Sequence, residues 1–266
     1  MTLETEDTGH ERVARTQTRP RLEILYEDED LVAFLKPSGL LTAPDHWDKM
    51  RENLMDIVHS RWSPEWFNAH RLDCDTSGVI LCAKNWESLK TVSKAFAEHT
   101  VQKEYVALVR WAPKEDTGTI SLKIRDDPAN PGRVLTHKRE GRPAETHYEV
   151  ITRWRGYARI HAHPATGRLH QVRVHLAAIG CPIIADRFYG NERGLFLSDI
   201  KPGYKHKDEE ERPLMGRLAL HAAILSLDHP RTGVRLSIRA PLSHDFEMAI
   251  KYLDRYAGSM GISEQP

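Results

Sequence analysis

The stretch Asn68-Ala-His-Arg-Leu-Asp-Cys-Asp-Thr-Ser-Gly-Val-Ile-Leu-Cys-Ala83 decides the reading of this chain. Its second half, Val79 to Ala83, is an unbroken apolar run of strand length, the pattern of a strand covered on both faces. Its first half sets Asp73 between the basic pair His70-Arg71 and the small-residue turn Thr76-Ser77-Gly78. Taken alone, an Asp before Thr-Ser-Gly is an ordinary turn or cap residue. A core strand, however, has no need of one acid beside two bases. A site that presents a single carboxylate to a negatively charged polymer does.

Working outward, Leu31 to Leu35 is a short apolar run stopped by Lys36-Pro37-Ser38-Gly39, a strand ending in a turn. Asn53 is placed to cap a helix to about Trp62, ended by Pro64. Asn85 caps a second helix to about His99, with Leu89, Val92, Ala95 and Phe96 on one face. Strands follow at 103–110, at 119–124 with Ile120, Leu122 and Ile124 to one side, at 146–153 and at 157–161. Residues 126–132 read as a loop, and the basic span 133–144 as an exposed hairpin or flexible loop. A helix over 169–179 stops at Gly180, with Pro182 beyond it. Residues 191–216 are charged and broken by Pro202, Gly203 and Pro213, a long loop or insertion. Strands at 218–227 and 234–238 flank a turn, and Ser243 caps a last helix to about Arg255.

That pattern is about eight strands and four helices, with strands in runs rather than in strict alternation with helices. It predicts an α/β chain of the α+β kind, a mixed and mostly antiparallel sheet with flanking helices. Residues 1–20 are expected to be a disordered N-terminal tail, 21–258 one domain and 259–266 a C-terminal tail.

Composition narrows the class. The 266 residues are 40% hydrophobic and 29% charged, as in soluble globular proteins. No apolar run approaches the ~18 residues of a membrane helix. The acidic, polar N-terminus is no secretory signal, so the chain is expected in the cytoplasm. Cys74, Cys82 and Cys181 are odd in number and lack metal or redox spacing, and are read as reduced thiols. Cys74 adjoins Asp73 without a base partner and is read as filling space. The 38 basic residues balance the 38 acidic ones, but they are segregated. Between Pro131 and His175 nine Lys and Arg face three Glu, while acid collects at 27–30 and 208–211. Such segregation makes a positive surface on a neutral protein.

His70-Arg71-Leu72-Asp73 with Thr76-Ser77-Gly78 resembles the catalytic motif of the RluA-type pseudouridine synthases. Ala165-Thr-Gly-Arg-Leu-His-Gln-Val-Arg-Val-His-Leu-Ala-Ala-Ile-Gly180 resembles the later arginine motif of that family. Two looser matches, Leu35 to Gly39 and Lys103 to Val109, complete the family's order over roughly residues 22–257. The second motif departs from the family's pattern at Leu169 and Val172, and the first at Cys74.

The resemblance implies an RNA-modifying isomerase with a central RNA-binding cleft, acting on ribosomal RNA, transfer RNA or both. It needs no cofactor and no metal. Asp73 is then the catalytic carboxylate, Arg173 the guanidinium that keeps it ionised and aimed, and Tyr105 the ring beside the extracted base. His70, Arg71 and Lys36 would hold RNA or the flipped nucleotide, and Lys138, Arg139 and Arg142 would lie in a loop closing over RNA. Arg168 and His170, on the first turn of a helix, would meet phosphate. No protein partner is implied, and a monomer is expected.

Two other readings compete. Fifteen histidines, among them His161, His163, His170 and His175, invite a metal-dependent hydrolase. The spacing of His170 and His175 is five, however, not the four that aligns two ligands on a helix face. A catalytically silent RNA-binding protein on the same fold would keep the basic cleft without needing Asp73.

Overall fold

In a computed structural model of the chain, residues 21–44, 51–190, 193–204 and 210–260 are described. The N-terminal stretch expected to be disordered lies outside them. The elements run β1 (Glu23–Glu27), β2 (Leu31–Lys36), α1 (Leu54–Arg61), β3 (Phe67–Asn68), β4 (Ser77–Ala83), α2 (Trp86–Ala97), β5 (Gln102–Arg110), β6 (Thr117–Ser121) and β7 (Lys123–Asp126). They continue β8 (Val134–His137), β9 (Glu145–Trp154), β10 (Tyr157–Pro164), α3 (Gln171–Ala178), α4 (Leu197–Ile200), β11 (Leu220–Asp228), β12 (Arg235–Arg239), α5 (His244–Tyr256) and β13 (Ser259–Met260).

Eleven strands form one sheet along the path β1-β2-β4-β11-β5-β10-β9-β13, with β12 on β11, β3 on β4 and β6 on β9. Every pairing in it is antiparallel except β4 with β11. That parallel join is made by His221 opposite Ser77 and Ala222 opposite Gly78. It is also why residue 78 is glycine. A Cβ there would sit 2.2 Å from the carbonyl oxygen of Ala222, and the backbone φ is +121°. The Thr-Ser-Gly turn thus admits β11 alongside β4.

The mixed, mostly antiparallel sheet is the predicted one, but it is larger than the eight strands expected. The thirteen strands of the described residues include β1, a mixed-polarity strand at the sheet edge, and the two-residue strands β3 and β13, which carry no readable periodicity. The single strand expected at 119–124 is broken at Leu122 into β6, which joins the main sheet, and β7, which pairs with β8 in a separate hairpin. The basic 133–144 span is therefore half of an ordered hairpin. The charged 191–216 stretch contains the short helix α4 and a bridge from Leu195 to Met215.

Two helix starts follow their side-chain caps, whereas Ser243 stands at the N-cap of α5 without a capping side-chain bond. Asn53 Oδ1 accepts the Asp56 N–H at 3.0 Å, and Asn85 Oδ1 the Ser88 N–H at 2.9 Å. Two cores result. One packs Phe34, Ile57 and Ile80 of β2, α1 and β4; the other packs Leu108, Ile160, Leu176 and Phe246 of β5, β10, α3 and α5. Tyr105 touches both. A third small cluster, Ile124, Val134 and Ala144 against Val174, seats the β7–β8 hairpin on α3.

Candidate active site

Four segments converge: the loop before β4, strand β5, the start of α3 and the turn after α3. Asp73 comes from the first, with its side chain 22% exposed. Arg173 comes from α3, 100 residues on, and its Nη1 lies 3.4 Å from Asp73 Oδ2. Arg173 itself is almost sealed, 3% exposed. Its Nε and Nη2 both donate to Asp186, each at 2.8 Å, a bidentate fork that leaves Nη1 to face Asp73. Burial is the largest influence and opposes the positive charge of Arg173, but the bond and charge of Asp186, joined by the charge of Asp73, together outweigh it and hold the guanidinium's pKa above its usual value.

Asp186 was not anticipated. Its carboxylate also accepts the backbone N–H groups of Phe188 and Tyr189, so one buried acid fixes both the arginine and the turn that follows. The guanidinium lies 5.3 Å from the centres of the Phe188 and Tyr189 rings. The sequence offered only an Asp after an apolar run, with nothing to mark it as Arg173's partner.

Tyr105 stands on β5, opposite Ala222 on one side and Ala162 on the other. Burial, with the negative charge of Asp73 adding to it, pushes its phenol pKa up, so it stays a neutral ring. A cavity of about 260 Å³ opens beside this group, lined by Asp75, Ala185, Arg187, Gly216, Arg217 and Leu218. A larger one, of about 350 Å³, lies far along the chain from these residues, between the β1–β2 and β11–β12 turns. Its acids are already bonded: Asp30 to Arg231, Asn85 and Ser88, and Asp28 to Tyr26 and His229. The convergence of Asp73, Tyr105 and Arg173, not cavity size, marks the candidate site.

Four residues expected at RNA do other work. Lys36 is fully buried, and its ammonium donates to the carbonyls of Pro37, Leu40 and Cys74 at 2.6–2.9 Å. It pins the Asp73 loop and has no hydrogen left for a phosphate. Ser38 and Gly39 add bonds to the carbonyls of Asp75 and Cys74. The Lys-Pro-Ser-Gly segment is therefore a clamp on the motif. His70 points inward: its Nε2 accepts the Leu81 N–H at 3.0 Å, and its ring stacks on Phe96. Arg168 and His170 are not on the first turn of a helix, because α3 starts at Gln171. The side chain of Gln171, the first residue of α3, folds back to accept from the Arg168 N–H and the Thr166 hydroxyl. Arg168 Nε donates to the Pro143 carbonyl. His170, in the left-handed conformation at φ 51°, brings Nε2 to 3.9 Å from Asp73 instead.

Arg71, Lys138, Arg139 and Arg142 are exposed, the last three on the β7–β8 side of the molecule. All three cysteines are free thiols, and burial raises the pKa of each, so none is activated as a nucleophile. Of the histidines that suggested a metal, His161, His170 and His175 have other partners. His175 is bonded to Thr146 and the Leu122 carbonyl, and His161 pairs with Glu104.

A mixed sheet that sets Asp73 against the buried Arg173 is the arrangement expected of the pseudouridine synthase class. Residues 30–178 match the family model described as RNA pseudouridylate synthase. The chain belongs to that family. It is 35% identical over 224 residues to the dual-specificity RNA pseudouridine synthase RluA of Escherichia coli K12, covering 84% of this chain and 94% of that one. The identity is 33% to the ribosomal large subunit pseudouridine synthase C of Pasteurella multocida, over 85% of this chain and 66% of that one. Among solved structures, human RNA pseudouridylate synthase domain containing 4 matches with a TM-score of 0.68 and 26% identity, over 87% of this chain and 92% of that one. Domain containing 1 matches with a TM-score of 0.63, also at 26% identity, over 84% of each chain.

Proposed function

We propose that this pseudouridine synthase isomerises uridines in structured ribosomal or transfer RNA, or both, with Asp73 as the reacting carboxylate. The observation that carries the reading is the approach of Arg173 Nη1 to Asp73 Oδ2 at 3.4 Å, across 100 residues of chain. The reaction breaks the N1–C1′ bond, turns the uracil and joins C5 to C1′; the C5 proton leaves and N1 gains one. Nothing is oxidised or reduced, and no cofactor is required. An aimed carboxylate serves attack at C1′, attack at C6 or removal of the C2′ proton alike, and Arg173 supplies the aim and a facing positive charge. The base must leave the RNA stack to be reached. Tyr105 offers a face for it, and base–aromatic stacking is worth about 1–3 kcal/mol.

Arg71 and the hairpin residues Lys138, Arg139 and Arg142 supply cations for the RNA backbone. The choice of RNA rests on the names of the relatives, one of dual specificity and one acting on the large ribosomal subunit. The enzyme works as a cytoplasmic monomer. Mapping pseudouridine in total RNA from cells with and without the gene tests this: loss at defined ribosomal or transfer RNA uridines supports it, and an unchanged map contradicts it.

A further inference from the structure

Besides its apolar seat on α3, the hairpin is hydrogen-bonded to the site by the Tyr189 side chain. Tyr189 Oη accepts the backbone N–H of Val134, the first residue of β8, at 3.0 Å. The same oxygen lies 2.9 Å from His170 Nδ1. His170 Nε2 in turn faces Asp73 at 3.9 Å. The Tyr189 ring is held by two guanidiniums, Arg173 at 5.3 Å and Arg133, next to the hairpin's second strand, at 5.5 Å. His170 is kept in a left-handed backbone conformation that a non-glycine residue adopts at a cost, so its placement is imposed by its surroundings.

We assign this chain the one direction that leaves no hydroxyl hydrogen unpaired. A phenol has one hydrogen to donate. The Val134 N–H takes up an acceptor site of Tyr189, and the hydroxyl's own hydrogen has His170 Nδ1 as its partner. A neutral imidazole that accepts at Nδ1 carries its single hydrogen at Nε2. Burial keeps His170 neutral against the raising effect of Asp73, and pushes the Tyr189 phenol up to about 12.

We infer that Tyr189 is a positioning residue that sets the His170 tautomer, so that an Nε2–H is presented to the Asp73 carboxylate only while the β7–β8 hairpin is seated. The inference rests on the functional reading above, in which that hairpin carries Lys138, Arg139 and Arg142 to RNA. At 3.9 Å the Nε2–Asp73 contact is too long for a hydrogen bond. A shift of about 1 Å on engagement of RNA makes it one. The hairpin that grips the substrate and the acid that reacts with it are thus linked through Val134, Tyr189 and His170.

The test is nitrogen-15 NMR of histidine-labelled protein, combined with single-substrate kinetics on RNA. Wild type shows His170 as the neutral Nε2–H tautomer. Tyr189→Phe keeps the ring and both guanidinium contacts; it shifts His170 toward Nδ1–H and lowers kcat about tenfold with KM unchanged. In that background a further His170→Gln change restores part of the lost kcat, because the glutamine amide donates without instruction from Tyr189; a further loss overturns the inference. An Nδ1–H tautomer in wild type overturns the inference. So does a Tyr189→Phe protein with normal kcat, or with a raised KM alone. Wild-type protein inert on every RNA defeats the functional reading instead, and leaves the tautomer result to stand by itself.

Discussion

Arg173 is bonded to Asp186 more tightly than to Asp73: two contacts of 2.8 Å against one of 3.4 Å. The arginine is built into the protein by one acid and shown to the substrate side by the other. Removing one partner of a buried pair leaves an uncompensated charge and costs about 3–5 kcal/mol. Asp186→Asn should therefore lower the melting temperature and release Arg173, cutting turnover about a hundredfold or more. Arg173→Lys keeps the charge but loses the fork, and should lose most turnover in a protein that still folds. Thermal melts and tritium release from 5-tritiated uridine in RNA measure both; near-normal turnover in either variant contradicts the pairing.

Lys36 distinguishes a clamp from a phosphate contact. Its burial pushes the ammonium pKa down to about 8, against the raising effect of the nearby Cys74, Asp73 and Asp75. Lys36→Met should abolish most turnover while leaving the salt dependence of RNA binding unchanged. A phosphate contact would instead reduce the slope of log affinity against log salt by nearly one. That slope, measured by filter binding, decides between the two.

The hairpin cations make the opposite prediction. Replacing Lys138, Arg139 and Arg142 by Ala should weaken RNA binding and lower the salt slope by about two to three, with kcat retained at saturating RNA. An unchanged slope removes the hairpin from the interface.

Much of this was legible in the chain and some was not, for identifiable reasons. The caps Asn53 and Asn85 were readable because a side chain bonding its own helix end is local in sequence. The buried strand β4 was readable because its apolar run is continuous. Asp73, Tyr105 and Arg173 were picked out by resemblance, and the structure brings them together. Asp186 was not picked out, since an acid's partner is set by tertiary contact and leaves no mark on spacing. Lys36 and His70 were misplaced for the same reason. Both read as surface groups near a motif, yet each turns inward to satisfy backbone groups, carbonyls for Lys36 and an N–H for His70. The break at Leu122 is equally invisible in an alternating run that continues through it.

Acid stability follows from two buried imidazoles. Burial pushes His70 down to about 3, and His221 down to about 4 beside Ser77 and the Ala240 carbonyl. Unfolded histidine protonates near pH 6.5, so below that the unfolded state binds more protons than the folded one. The contribution of these rings therefore falls as pH drops from about 6.5 toward 3–4, by about 1.4 kcal/mol per pH unit per ring, and is level above about 6.5. Urea unfolding at about pH 7 and about pH 5 should show the loss. His70→Gln, whose amide oxygen can still accept from Leu81, should narrow it. Equal stability at both pH values contradicts the assignment.

Asp73→Asn tests the central claim most directly, because it preserves shape and burial while removing the reacting charge. Tritium release from 5-tritiated uridine in RNA should fall to background in the variant, with RNA affinity and melting temperature close to wild type. Release at a wild-type rate would show that the reacting group lies elsewhere.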